Sequence, residues 1–285
     1  MLTLGGVQAG FLRSVEGGAA VADVVVEPGS DFFAAKRLGA LRYEPFTLAF
    51  DLSLDQSVYE WIAQTWKGLY SRRDGSIVSV SHDGKAVSER EFFQALVSAV
   101  TVPAIDAASN EPAALTVELA PESARTQKTS GTAATLPGAK PKLWLPANFR
   151  LAIDGLDAKR VSKIDSFTVR SAAVEDTVGE LRDVVRAPAK VEFPNLRITL
   201  AESGAQTWFD WHDDFVVKGN NDETREKGGS LTFLAPNLKD ELGEIRFFNL
   251  GIFRLAPLPR PSGSDQVARL VADLYCERME LSVGP

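Results

Sequence analysis

Two histidines are the side chains best suited to proton transfer near neutral pH in this 285-residue chain. His82 stands in Ser81-His82-Asp83-Gly84-Lys85, a cluster of turn-forming residues, and His212 in Trp211-His212-Asp213-Asp214 on a predicted helix. An Asp beside a His could orient the imidazole or complete a pair of metal ligands. Adjacent helix positions point about 100° apart, however, so His212 and Asp213 do not face one ion. Cys276, the one cysteine, lies in the alternating apolar stretch Leu270 to Leu281 and reads as a core thiol rather than a nucleophile. Acidic pairs such as Asp213-Asp214 and Asp222-Glu223 follow from the net charge of −7. None can be singled out for glycoside chemistry without a cleft. The chain has no Gly-x-Ser-x-Gly elbow, no phosphate-binding Gly-x-x-x-x-Gly-Lys-Ser/Thr loop and no His-Glu-x-x-His zinc motif. The expectation is a protein that is not an enzyme, with no catalytic, cofactor-binding or metal-binding residues and no cofactor.

The composition is that of an ordinary folded soluble protein. Hydrophobic residues make up 45% and charged residues 24%, which excludes a disordered, collagenous or disulfide-scaffold chain. A lone cysteine needs no oxidising compartment. The acidic balance argues against a general nucleic-acid or acidic-membrane binder, which would carry basic excess. No run approaches the ~20 apolar residues of a membrane span, and the opening Met1-Leu2-Thr3-Leu4-Gly5-Gly6 lacks a secretory signal, so synthesis and folding in the cytoplasm are expected.

The length favours two domains. Pro121 to Lys142, rich in Ser, Thr, Gly, Pro and Lys, reads as a linker near the midpoint. The flanking halves repeat one another in order. Leu4-Gly5-Gly6 answers Ile153-Asp154-Gly155, Ala9 answers Ala158 and Val15 answers Ile164. The alternating Phe46, Leu48, Phe50 and Leu52 answer Leu196, Ile198 and Leu200, and Gly75 to Val80 answers Gly229 to Leu234. Phe92-Phe93 answers Phe247-Phe248, and Pro103 is matched with Pro257. The organisation expected is 1–120 as a first β domain, 121–142 as linker and 143–285 as a second β domain.

Each half also predicts one principal helix. Val58, Trp61, Ile62, Trp66 and Leu69 recur at three- and four-residue spacing between Asp55 and Tyr70, with Ser53 or Asp55 as cap and Gly68 near the stop. Trp208, Trp211 and Phe215 place its counterpart over about Ala205 to Val217. These tryptophans are expected to pack on a sheet. Strands are predicted at Val21–Glu27, Phe46–Leu52, Ser76–Val80, Glu91–Val102 and Leu115–Leu119, then at Arg150–Ile153, Ile164–Val169, Leu196–Leu200, Leu231–Leu234, Glu244–Leu255 and Leu270–Leu281. The fold class is mainly β: a β-barrel or sandwich with one flanking α-helix in each of two tandem domains.

Read together, these motifs resemble the tail tube protein family of contractile bacteriophages and the inner-tube proteins of contractile injection systems. The likeness rests on Phe149-Arg150-Leu151-Ala152-Ile153-Asp154-Gly155-Leu156, on Gly10-Phe11 followed by Ser14-Val15-Glu16-Gly17, and on Tyr43-Glu44-Pro45-Phe46-Thr47-Leu48 beside Phe193-Pro194-Asn195-Leu196-Arg197-Ile198. It continues through Arg73-Asp74-Gly75-Ser76-Ile77 and the closing Tyr275-Cys276-Glu277-Arg278-Met279-Glu280-Leu281. The family's subunits generally hold one such domain, and this chain reads as two.

The resemblance implies a structural component of a phage tail or injection particle. Three two-domain chains would form a trimeric, pseudo-hexameric ring at a tube end, as a hub or baseplate adaptor. The implied partners are further copies of the chain and neighbouring tube, spike or cap proteins. No membrane and no specific nucleic acid is implied, although DNA or cargo would pass through the lumen. Two other readings are a stand-alone β-barrel ligand-binding module and an effector cargo carried in the tube.

Overall fold

The computed structural model describes residues 1–28, 33–129, 144–176, 185–259 and 267–284. The first half contains β1 (Leu2–Leu4), β2 (Val7–Gly10), β3 (Ser14–Gly17), β4 (Ala20–Glu27), β5 (Ala35–Tyr43), β6 (Phe46–Phe50) and α1 (Gln56–Trp66). It continues with β7 (Arg73–Val80), β8 (Ala86–Val102), β9 (Ile105–Asp106), β10 (Leu115–Ala120) and β11 (Ser123–Lys128). The second half contains β12 (Phe149–Ile153), β13 (Val161–Ile164), β14 (Phe167–Asp176), β15 (Val185–Glu192), β16 (Leu196–Ala201) and α2 (Gln206–His212). β17 (Lys227–Leu234), β18 (Glu241–Pro257) and β19 (Arg269–Val283) complete it. The fold is mainly β, with one principal helix in each half, as expected.

Strand order repeats between the halves. One sheet runs β2-β1-β7-β8-β10-β6-β3, and another runs β12-β17-β18-β19-β16-β13-β9. The registers repeat as well. Phe46, Leu48 and Phe50 face Leu119, Val117 and Leu115, while Leu196, Ile198 and Leu200 face Leu274, Ala272 and Leu270. Gly75 faces Phe92 and Gly229 faces Phe247. Even the irregularities recur: Gln94 and Asn249, neither of them glycine, hold φ of 50° and 55° at matching bulges. A positive φ is costly away from glycine, and the Asp74 carboxylate accepts the Gln94 backbone N–H at 2.7 Å.

Alternation drives this packing. Phe46, Leu48 and Phe50 in β6, like Leu196, Ile198 and Leu200 in β16, turn one side of their strands into a common core. In α1 the apolar stripe is buried through Val58, Trp61, Ile62 and Trp66, and the Asp55 side chain caps the helix by accepting from the Ser57 N–H. The helix closes at Trp66, and Gly68 follows with φ 75°, a left-handed turn that glycine adopts without strain. Leu69, placed in the stripe by its spacing, therefore lies beyond the helix and is exposed. α2 is shorter than its spacing implied because Asp213–Val217 widens into one π-helical turn, which still buries Phe215. All four helix tryptophans are buried, as expected of residues that pack on sheets. Arg73 lies over the Trp61 ring at 5.5 Å and Lys227 over the Trp211 ring at 5.4 Å, the same cation–π pair in both halves.

Three local readings need correction. Ser123–Lys128, inside the stretch read as linker, forms β11 and pairs with Ser88 to Phe93 of β8. Its polar composition disguised a strand, and Pro121, lacking an N–H, splits β10 from β11 where Cys276 lets β19 continue. Residues 130–142 of that linker lie outside the described residues. The single strand expected over Ile164–Val169 is divided at Asp165 and Ser166 into β13 and β14. The matching registers also place Pro257 opposite Leu270 as the counterpart of Val102, so Pro103 answers Leu258 instead.

Trp208 is fully buried, and its indole N–H donates to the Asp157 carbonyl at 2.9 Å. Trp208→Ala is expected to cost about 3–5 kcal/mol through the cavity it leaves. Denaturant unfolding followed by tryptophan fluorescence checks this.

Candidate assembly site

The residues singled out for chemistry do not converge. His82 is fully exposed in the β7–β8 turn, 3.9 Å from its neighbour Asp83. His212 sits at the end of α2. Among the described residues no group of three His, Cys, Asp or Glu side chains is arranged to hold a metal. Cys276 is buried, and its thiol donates to the Phe248 and Arg278 carbonyls at 3.6 and 3.2 Å. Burial pushes this thiol up from 9.0 to about 11, against a smaller lowering by those two contacts. A thiol held protonated in this way is a poor nucleophile.

The distinctive feature of the molecule is where its halves join. Phe167 to Arg170 of β14 pair antiparallel with Val102 to Ala99 of β8, so a hairpin from the second half extends the first-half sheet. In return, Ile105 and Asp106 of β9 pair with Ile164 and Lys163 of β13 in the second-half sheet. Each half thus supplies backbone groups that the other's edge lacks. Thr101 and Thr168 bring their hydroxyls to 2.8 Å across the seam, and the Ser166 hydroxyl donates to the Val102 carbonyl at 2.9 Å.

Polar contacts lock the hairpin in place. The buried Arg186 guanidinium donates to the Tyr43 carbonyl at 2.9 Å, and its backbone N–H donates to the Glu122 carboxylate at 3.3 Å. Arg72 binds both partners: its Nη2 donates to the Arg186 carbonyl at 2.6 Å and its Nε lies 3.2 Å from Glu122. The Tyr70 hydroxyl donates to the Ala189 carbonyl. α1 packs against β19 of the other half, and Trp66 meets Phe193 edge-to-face at 6.3 Å.

Among the described residues, counterparts of both sides of this seam exist unmated. β4–β5 occupies the place of β14–β15 and repeats its register: Ala20 faces Tyr43, and a slip between Ala22 and Val24 matches that between Ser171 and Ala173. It forms a two-stranded sheet on its own. Val24, Val26 and Leu38 on it are 59%, 59% and 76% exposed, an apolar hairpin without a sheet to join. β18 corresponds to β8. β17 covers its outer side only as far as Leu250, and among the described residues no strand pairs with that side from Gly251 to Pro257. On α2 and the π-helical turn that follows it, Phe209 and Val216 are 40% and 42% exposed, whereas Tyr59 and Trp66 at the matching α1 positions are 2% and 3% exposed.

The sequence reading named no contact residues. One signal was present: Val24-Val25-Val26 is apolar without alternation, which marks a strand needing cover on both sides. The positions of Arg72, Glu122 and Arg186 carried no such signal, because the contacts join residues far apart in sequence, 114 positions between Arg72 and Arg186 and 64 between Glu122 and Arg186.

Two outcomes follow. Arg72→Ala is expected to weaken the seam by about 1–3 kcal/mol, seen as faster amide exchange in β15. Cys276 is expected to resist alkylation at pH 8 in the native chain and to react on unfolding. Its raised value means a stability contribution present below about pH 9 and lost as the pH rises toward 11.

Residues 6–125 match the family described as T4-like virus tail tube protein gp19. No curated protein matches the chain. Among solved structures, a chain of the anti-feeding prophage baseplate is 12% identical, with a TM-score of 0.37, covering 47% of this chain and 91% of that one. A chain of the anti-feeding prophage tube-terminating cap is 14% identical, TM-score 0.39, covering 55% and 100%. Hcp1 from Flavobacterium johnsoniae is 16% identical, TM-score 0.29, covering 48% and 95%. Through residues 6–125, this chain is similar to the T4-like tail tube protein family.

Proposed function

We propose that the protein is a structural ring of a contractile tail or injection particle, built from three copies of a chain that holds two tube-like domains, 1–120 and 143–285. One observation carries this reading: the seam between the halves has counterparts in β4–β5 and β18 that are unmated among the described residues. A head-to-tail contact of this kind closes into a ring or runs on as a filament. Six wedges are the count expected of the family's tubes, and two wedges per chain then require three chains.

Such a ring has six similar wedges but only three-fold symmetry. It suits the end of a tube, where a six-fold shaft meets a three-fold hub or spike, and a baseplate adaptor is the assignment we favour. Tube, spike and cap proteins are then its axial partners, and the assembled particle is where it works. No step of this function uses a catalytic residue or a cofactor, and the tube family that residues 6–125 resemble is a structural one. The net charge of −7 suits a lumen that repels DNA or acidic cargo so that it slides through.

Light scattering at rising concentration is expected to find three chains per particle. A monomer at the highest concentration would refute the ring. His82→Ala is expected to leave assembly unchanged, since His82 is fully exposed in the β7–β8 turn, away from the seam.

A further inference from the structure

We infer that a second copy of this chain docks on the outer edge of β18 in a defined register, with Gly18, Ala19, Ala20 and Val21 opposite Pro257, Ala256, Leu255 and Arg254. This deepens the ring reading and rests on it. The register follows from the equivalence of the two halves. Val15 and Ile164 face Leu48 and Ile198, which are themselves matching positions, so the chain from Gly18 to Val21 takes the places of Phe167 to Arg170. On the other side, Val97 and Ile252 face Leu119 and Leu274, each followed by the same slip, so Ala99 to Val102 correspond to Arg254 to Pro257. The intrachain pairs Phe167–Val102, Thr168–Thr101, Val169–Val100 and Arg170–Ala99 then transfer one by one.

The surfaces agree with this occupant. Pro257 has no N–H and ends the ladder, as a proline at a strand edge does, while Arg254 to Ala256 supply the pairing groups. Residues Ala19 and Ala256, which stand for the touching Thr168 and Thr101, are both small, so two copies can approach closely there. The same placement carries Tyr43 of the incoming copy onto α2, because Tyr43 matches Phe193 and Val216 matches the Trp66 that Phe193 covers. The half-exposed Phe209 and Val216 are thereby buried. Fit of edge and helix by one rigid neighbour is a stronger condition than either alone.

The test is disulfide trapping in the full chain carrying Ala19→Cys and Ala256→Cys. Oxidation is expected to yield covalent three-chain species, with each single variant remaining uncrosslinked on a denaturing gel. An off-register pair, Ala19→Cys with Leu255→Cys, is expected to link at least ten-fold more slowly, because Leu255 projects to the other side of the strand. Val216→Asp, at an exposed position, is expected to raise the concentration for half-assembly at least ten-fold while leaving the far-UV circular dichroism unchanged. Three-chain particles by scattering in which the on-register pair links no faster than the off-register pair would overturn this register and leave the ring standing. A chain that stays monomeric in scattering would overturn both.

Discussion

The structure is governed by the demand that backbone N–H and C=O groups at a sheet edge find partners. A curled sheet that stops leaves a row of such groups exposed, and this chain supplies the missing strand from elsewhere. Within one molecule the second half completes the first through β14 on β8, and the first repays it through β9 on β13. The same demand, unmet at β18 and β4–β5 among the described residues, is what the proposed ring would use as its means of association. Core packing makes each wedge stable, but the edges decide what the wedges do.

The internal repeat explains why the chain has both a sealed seam and an open one. Two copies of one design joined in sequence make one junction internally and leave half a junction at each end. The internal seam also shows how far the halves have diverged. The first half splits its last strand at Pro121, where the second runs unbroken through Cys276. The buried face of α1, with Tyr59 and Trp66, has become Phe209 and Val216 on α2 and the π-helical turn that follows it. Alternate wedges of a ring would therefore present different surfaces along its axis, as a junction between unlike symmetries requires.

Much of the fold was legible because its signals are local. The alternation of Phe46, Leu48 and Phe50, the three-and-four spacing of Val58, Trp61 and Ile62, and the ordered recurrence of Gly75 and Gly229 gave strands, helices and duplication without any long-range knowledge. What escaped was of two kinds. β11 and β5 are polar or charged strands whose existence depends on the neighbour they pair with, so composition hid them. The seam depends on which edge meets which, a property of topology that Arg72, Glu122 and Arg186 express only once the chain has folded. The chemical candidates failed for a related reason: His82, His212 and Cys276 sit on separate elements, in a turn, at a helix end and inside a core strand.

The most direct measurement is an electron-microscope image of the purified assembly viewed down its axis. The account predicts an annulus of six lobes alternating between two shapes, so that averages retain three-fold symmetry and lose it when six-fold symmetry is imposed. Six identical lobes, an open filament or isolated two-lobed particles would contradict it.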